Sequence, residues 1–224
     1  MKACVAEFIA TFTLTFVGAG AIIACGGNDL TGIALAHGLA LSGALCVCGH
    51  ISGGHINPAV TIALLVTKKI EPINAVGYII AQLAGSTVAA FILKSFLAAE
   101  AVAAVQLGAT LGSPENQQLL GAGGTMVFEL IFTFLLVTTI FGVSVDERGP
   151  KNVYGFAIGL TVAAEILIGG PLTGASMNPA RSFGPAVMMG NWTMHWVYWV
   201  GPIAGAVIAA VLYQTVQLGG KKES

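Results

Sequence analysis

Charge is scarce in this chain. Lys and Arg number 9 and Asp and Glu 10 among 224 residues, or 8%, where a soluble domain carries roughly 25%. Hydrophobic residues make up 56%, so a water-soluble globule is excluded. The net charge of −1, with no basic face, argues against a nucleic-acid partner. Cysteine is also sparse. Cys4, Cys25, Cys46 and Cys48 sit in or beside apolar stretches, and their spacing suits neither a metal site nor a disulfide framework. They read as small hydrophobes, and no cofactor or metal is implied. No nucleophile, base and oxyanion group converge, so an enzyme is not indicated. Glu7 falls inside what would be the apolar core of a leader peptide, which predicts a first membrane span and not a cleaved signal.

Long apolar stretches are what the sequence does have. They predict an all-α membrane protein with six spans at about 4–25, 31–49, 73–96, 124–144, 152–170 and 195–217. Turn or charge clusters such as Gly26-Gly27-Asn28-Asp29 and Asp146-Glu147-Arg148-Gly149-Pro150 separate them. An even number of spans puts both termini on one side. Lys2, Lys68, Lys69, Arg148, Lys151, Lys221 and Lys222 fall on that side, Lys94 near the other, and Arg181 inside the short apolar stretch that follows the second Asn-Pro-Ala. The crowded side is therefore expected to be cytoplasmic. Trp192, Trp196, Tyr198 and Trp199 then mark the outer end of the last span as an aromatic belt.

The chain also repeats itself. Asn57-Pro58-Ala59 recurs as Asn178-Pro179-Ala180, and Gly38-Leu39 and Gly159-Leu160 each stand 19 residues before their Asn. Glu7-Phe8 is answered by Glu129-Leu130, and Ala84-Gly85 by Ala204-Gly205. One channel domain is expected, with a first repeat over about 1–97, a connection over about 98–122 that is either an outer loop or a packed linker, and a second repeat over about 123–220. Repeated hydrophobic segments with a proline-broken polar element at matching places point to a pathway at the repeat interface.

Each Asn-Pro-Ala has the form of a helix start, because Asn is a preferred N-cap and Pro a preferred first residue. The apolar stretches that follow, 58–66 and 179–188, hold about ten residues each and reach roughly half a bilayer at 1.5 Å per residue. They are predicted to be re-entrant half-helices. Meeting N-terminus to N-terminus, they would place about half a positive charge each at mid-membrane, which favours an oxygen lone pair and repels a cation. The preceding stretches, Gly53, Gly54 and His55 in one copy and Gly174, Ala175 and Ser176 in the other, are small or flexible and suit extended backbone whose carbonyls line a pore. Glu7 and Glu129 are repeat-related acids placed to accept the unpaired N–H groups of those loops. Glu165 has no acidic counterpart in the first half. The pairs Gly155 with Gly159 and Gly201 with Gly205 predict close helix contacts.

The stretch from Gly49 to Thr61 (GHISGGHINPAVT) and that from Ser176 to Pro185 (SMNPARSFGP) resemble the two pore motifs of the aquaporins. The likeness spans the whole chain. It implies a six-helix bundle with two half-helices, a pore in each subunit, a homotetramer, and passive conduction of water or small neutral solutes across a cell membrane. The family's outer selectivity filter falls by motif spacing on His37, Ile166, Ala175 and Arg181. That set is similar to the filter of certain plant tonoplast intrinsic proteins linked with ammonia as well as water, while the short chain resembles the M-type aquaporins of archaea. Ser182 stands where glycerol facilitators carry Asp. The alternatives are a glycerol-type facilitator or a secondary transporter, since inverted repeats with broken helices also build carriers. Ion-coupled carriers usually place acids in the site, whereas the expected lining here is Asn amides, carbonyls, one His and one Arg.

Overall fold

The computed structural model describes residues 1–217. Six helical stretches are long and apolar enough to cross a bilayer, Lys2–Ala24, Leu30–Ser52, Pro72–Phe96, Pro114–Val145, Lys151–Thr173 and Val197–Val216, and their α-helical parts are α1 Lys2–Ala24, α2 Leu30–Ser52, α4 Pro72–Phe96, α6 Pro114–Ile140, α7 Tyr154–Thr173 and α9 Val197–Leu212. Between them lie two half-length helices, α3 Pro58–Val66 and α8 Pro179–Met189, and a short α5, Ala99–Ala104. No strand occurs among the described residues. Local chemistry fixes many of the ends. Asp29 caps α2 by accepting from the Gly32 N–H at 2.8 Å, and Pro opens α3, α4, α6 and α8, where a missing N–H costs nothing. The helices before the two motifs, α2 and α7, both stop at a left-handed glycine, Gly53 at φ 88° and Gly174 at φ 87°.

Small residues govern how the long helices meet. A Cβ on Gly85 of α4 would stand 2.3 Å from the Phe8 carbonyl of α1, and one on Gly205 of α9 would stand 2.1 Å from the Leu130 carbonyl of α6. Backbone therefore meets backbone at matching places in the two halves, as membrane helices without a hydrophobic driving force require. The halves join where α2 crosses α7. Gly38 and Gly159 face each other's carbonyls there, at 2.6 and 2.3 Å from a hypothetical Cβ.

The connection between the halves is a packed linker. After α5, Gln106, Leu107 and Gly108 are all left-handed, at φ 49°, 56° and 67°, and Leu107 is fully buried. Helix α6 begins at Pro114, ten residues before the expected span, and breaks at Gly121, where φ is 55° and ψ −168°. The Ala, Gly and Gln composition of this stretch carries no apolar period, which is why the earlier start was not legible.

Helix α6 closes in a π turn, Phe141–Val145. The Asp146 carboxylate then gathers the Arg148 guanidinium, the Arg148 N–H at 3.0 Å and the Tyr213 hydroxyl at 3.2 Å. Its hydrogen bonds from Arg148 hold the carboxyl well below the usual carboxylate range. Lys151 Nζ donates to the Ser144 carbonyl. Lys221 and Lys222, counted with this side above, lie outside the described residues.

Candidate functional site

The two half-helices start in the same way and brace each other. Asn57 and Asn178 are extended, at φ −153° and −150°. Asn57 Oδ1 accepts from Ala59 N at 2.8 Å, and Asn178 Oδ1 accepts from Ala180 N at 3.0 Å and Arg181 N at 3.2 Å. Each amide nitrogen then donates across the centre: Asn57 Nδ2 to the Met177 carbonyl at 2.7 Å, and Asn178 Nδ2 to the Ile56 carbonyl at 2.9 Å. An amide has two N–H groups, so each Asn ties down the opposite loop with one and keeps the other for the passage it lines. Nothing local in the sequence marks this crossed pair, because its bonds join residues 120 and 122 apart.

Ile56 and Met177, the residues before each Asn, are buried and left-handed at φ 58° and 53°. Such conformations cost about 1–3 kcal/mol each and persist only where the surroundings over-determine them. Two buried carboxylates do so. Glu7 accepts from Ser52 Oγ at 2.6 Å, His55 N at 2.9 Å and Ile56 N at 2.6 Å. Glu129 accepts from Thr173 Oγ1 at 2.7 Å, Ser176 N at 2.9 Å and Met177 N at 2.8 Å. Tyr78 and Tyr198 add matching bonds from their hydroxyls to the Ser52 and Thr173 carbonyls, at 2.8 and 2.7 Å.

Between the loops runs a narrow passage. Its polar side is formed by Gly53, Gly54, His55, Ile56 and Asn57 from one loop and Ala175, Ser176, Met177 and Asn178 from the other. Apolar side chains of α1, α2, α6 and α7, among them Leu14, Leu41, Leu136 and Val162, form the opposite walls. No carboxylate lines it among the described residues. A wider vestibule opens on the side of the connection, and Gly174 lines that vestibule one step outward of the passage where its carbonyl was expected. His37, Ile166 and Arg181 line both spaces and so stand at their junction. Ala175 lies just inside it.

Arg181 is held from two directions at that junction. One guanidinium nitrogen donates to the Gly108 carbonyl at 2.6 Å and the other lies 3.2 Å from His37 Nε2. A guanidinium has no acceptor, so Nε2 accepts and the His37 proton sits on Nδ1, which donates to the Ile33 carbonyl at 2.9 Å. Assigned from this network, the ring is the neutral Nδ1–H tautomer. Gly18 makes room for it, since a Cβ there would stand 2.3 Å from Nε2. His55 bonds through Nδ1 to Thr61 Oγ1 at 3.1 Å and lies edge-on to Tyr78, while His50 is exposed at the end of α2.

Glu165 is different from the other two acids. It is buried, and neither carboxyl oxygen has a hydrogen-bond partner among the described residues. Two further polar residues take part in these networks. Gln82 donates from Nε2 to Glu7 at 2.7 Å and to Thr61 at 3.1 Å, and Thr110 donates to Ser182 at 2.7 Å. A lone Gln in an apolar span was the available signal for the first.

Residues 1–213 match the family model described as major intrinsic protein. The chain is 45% identical to the probable aquaporin TIP1-2 of Oryza sativa, covering 97% of this chain and 87% of that one. It is 43% identical to aquaporin AqpM of Methanothermobacter thermautotrophicus, covering 95% and 96%. Among solved structures, the aquaglyceroporin of Plasmodium falciparum superposes with a TM-score of 0.86 at 25% identity, over 97% of both chains. Paired half-helices crossed by their own asparagines, an arginine at the narrow junction and these relationships over nearly the full length lead to one assignment: the chain belongs to the major intrinsic protein family, the aquaporins.

Proposed function

We propose that this protein is a passive water channel whose filter is formed by His37, Ile166, Ala175 and Arg181. It is a multi-pass membrane channel and not an enzyme. The observation that carries the reading is the pair of half-helix N-termini meeting at Asn57 and Asn178, with spare amide N–H groups on a passage that no acid lines among the described residues. Positive helix ends and donors there orient a water oxygen and disfavour a hydrated cation. Arg181 adds to this: a unit cation about 5 Å away, at an effective dielectric of about 20, is opposed by roughly 3 kcal/mol. That amounts to about a hundredfold in occupancy.

The solute range follows from the filter walls. Ile166 offers no hydrogen bond, so His37 and Arg181 supply the polar contacts from the other sides. A permeant is therefore asked less strictly for bonding on all sides, and ammonia passes with water while glycerol is slow. The protein assembles as a homotetramer in the cell membrane, with both termini cytoplasmic beside Lys2, Lys68, Lys69, Arg148 and Lys151. The test of the solute range is ammonia-driven alkalinisation inside vesicles bearing the parent or Ile166→His. Expected is ammonia flux above empty vesicles in the parent and a drop in the variant with water flux retained. Parent flux at the empty-vesicle level, or no drop, would reject it.

A further inference from the structure

Resting on the reading of Arg181 as the filter arginine, we propose that Thr110 is a positioning residue of the filter. Through it, the connection between the halves braces Arg181 from outside and sets which solutes pass. Thr110 is buried, at 4% exposure, and donates to Ser182 Oγ at 2.7 Å. Ser182 in turn bonds to Ser176 Oγ. Ser176 gives its own proton to the Asn178 carbonyl at 3.0 Å and accepts from Asn178 N at 3.2 Å. A hydroxyl has one proton to donate, so Ser182 is the donor to Ser176 and the chain runs one way, from Thr110 to Ser182 to Ser176 to Asn178. Arg181 lies within this run, preceding Ser182, and its guanidinium is held by Gly108, two residues before Thr110. Backbone and side chain of the arginine segment are thus gripped by one stretch of the connection.

That stretch is itself anchored. Gly108 is seated on α1, where a Cβ would stand 3.0 Å from Ala19 Cα, and Ser113 N donates to the Pro171 carbonyl of α7 at 2.8 Å. The left-handed Gln106 and Leu107 store strain of the kind found where structure serves a site. The first repeat supplies an internal control. Thr61 stands four residues after Asn57 as Ser182 does after Asn178, yet its side-chain partners are His55 of its own loop and Gln82 of α4. Only the half that carries the arginine takes this bond from the connection.

The experiment compares glycerol and water permeability of proteoliposomes bearing the parent, Thr110→Val, Thr110→Ser, Ser182→Ala, the double variant Thr110→Val with Ser182→Ala, and Arg181→Val. Expected for Thr110→Val is a glycerol-to-water ratio raised about fivefold, as for one lost hydrogen bond. Thr110→Ser should return to within about twofold of the parent. The double variant should match the larger single effect and not the product of the two. A parent ratio in Thr110→Val while Arg181→Val raises it, or a Thr110→Ser ratio as high as that of the valine variant, overturns the proposal. If Thr110→Val does not fold, a parent ratio in Ser182→Ala, which removes the other end of the bond, has the same force. An unchanged ratio in Arg181→Val would overturn the filter reading and this proposal with it.

Discussion

The two halves solve the same problem with different partners. Glu7 and Glu129 each hold two N–H groups of a re-entrant loop and the hydroxyl that ends the helix before it, but Glu7 also receives Gln82 from α4. The place in α9 that answers Gln82 is Pro202, which has no donor to give. In the first half Thr61 is bonded to His55 and Gln82, so the network closes inward against the acid. In the second, the matching Ser182 is bonded to Ser176 and Thr110, so the network reaches outward to the connection between the halves. The carboxylate anchors and caps recur in both halves, while the partners of Thr61 and Ser182 differ. The acids and the asparagine caps match between the halves, and the polar groups around them do not.

Removing the anchors should have the largest effect and should expose that asymmetry. Glu7→Ala strands donors at Ser52, His55, Ile56 and Gln82, whereas Glu129→Ala strands those at Thr173, Ser176 and Met177. Each buried donor left without an acceptor costs about 1–3 kcal/mol. Both variants should lose several kcal/mol, with Glu7→Ala the worse, as read by unfolding in detergent. An equal or reversed order would show that Gln82 adds nothing to the first anchor.

Next in size is loss of the crossed asparagines. Asn57→Ala or Asn178→Ala removes a cap of about 1 kcal/mol and one brace to the opposite loop. Slower water flux together with a measurable proton leak is expected from each. Two variants that conduct like the parent and stay proton-tight would break the facing half-helix arrangement.

Glu165 gives a smaller effect of opposite sign. Because its carboxyl oxygens have no partner among the described residues, Glu165→Leu should be neutral or stabilising by about 1 kcal/mol. A loss of several kcal/mol on thermal unfolding would mean that this acid is held as Glu7 and Glu129 are.

The smallest change is expected from pH at the Asp146 cluster. A carboxyl lowered by its partners contributes stability at every pH above the ordinary value of about 3.9 and loses it only as pH falls below that range. The Asp146 clamp should therefore stay closed between pH 8 and 5, and limited proteolysis near Arg148 should proceed at the same rate at both. Faster cleavage at pH 5 would contradict the hold of Arg148 on Asp146.

Much of this was legible in the residues. Apolar length gave the six spans to within a few residues except for α6, and Asn-Pro at matching positions gave α3 and α8, observed as Pro58–Val66 and Pro179–Met189. The small-residue contacts were legible for the same reason, since Gly159 and Gly205 recur at spacings only helices use. Contacts between distant segments were not. The bonds from Asn57 to Met177 and from Thr110 to Ser182 depend on how two loops are threaded together, which no local period encodes. The connection hid its role because buried Leu107 is left-handed, a conformation that leucine by itself does not favour.

The most direct measurement is osmotic water flux and proton flux on the same proteoliposomes, by stopped-flow light scattering and an enclosed pH dye. Water flux is expected to rise linearly with the osmotic gradient, without saturation and far above empty vesicles, while proton flux stays at the empty-vesicle level. Saturating water flux, or proton flux that rises along with it, would contradict a passive pore sealed to charge by Asn57, Asn178 and Arg181.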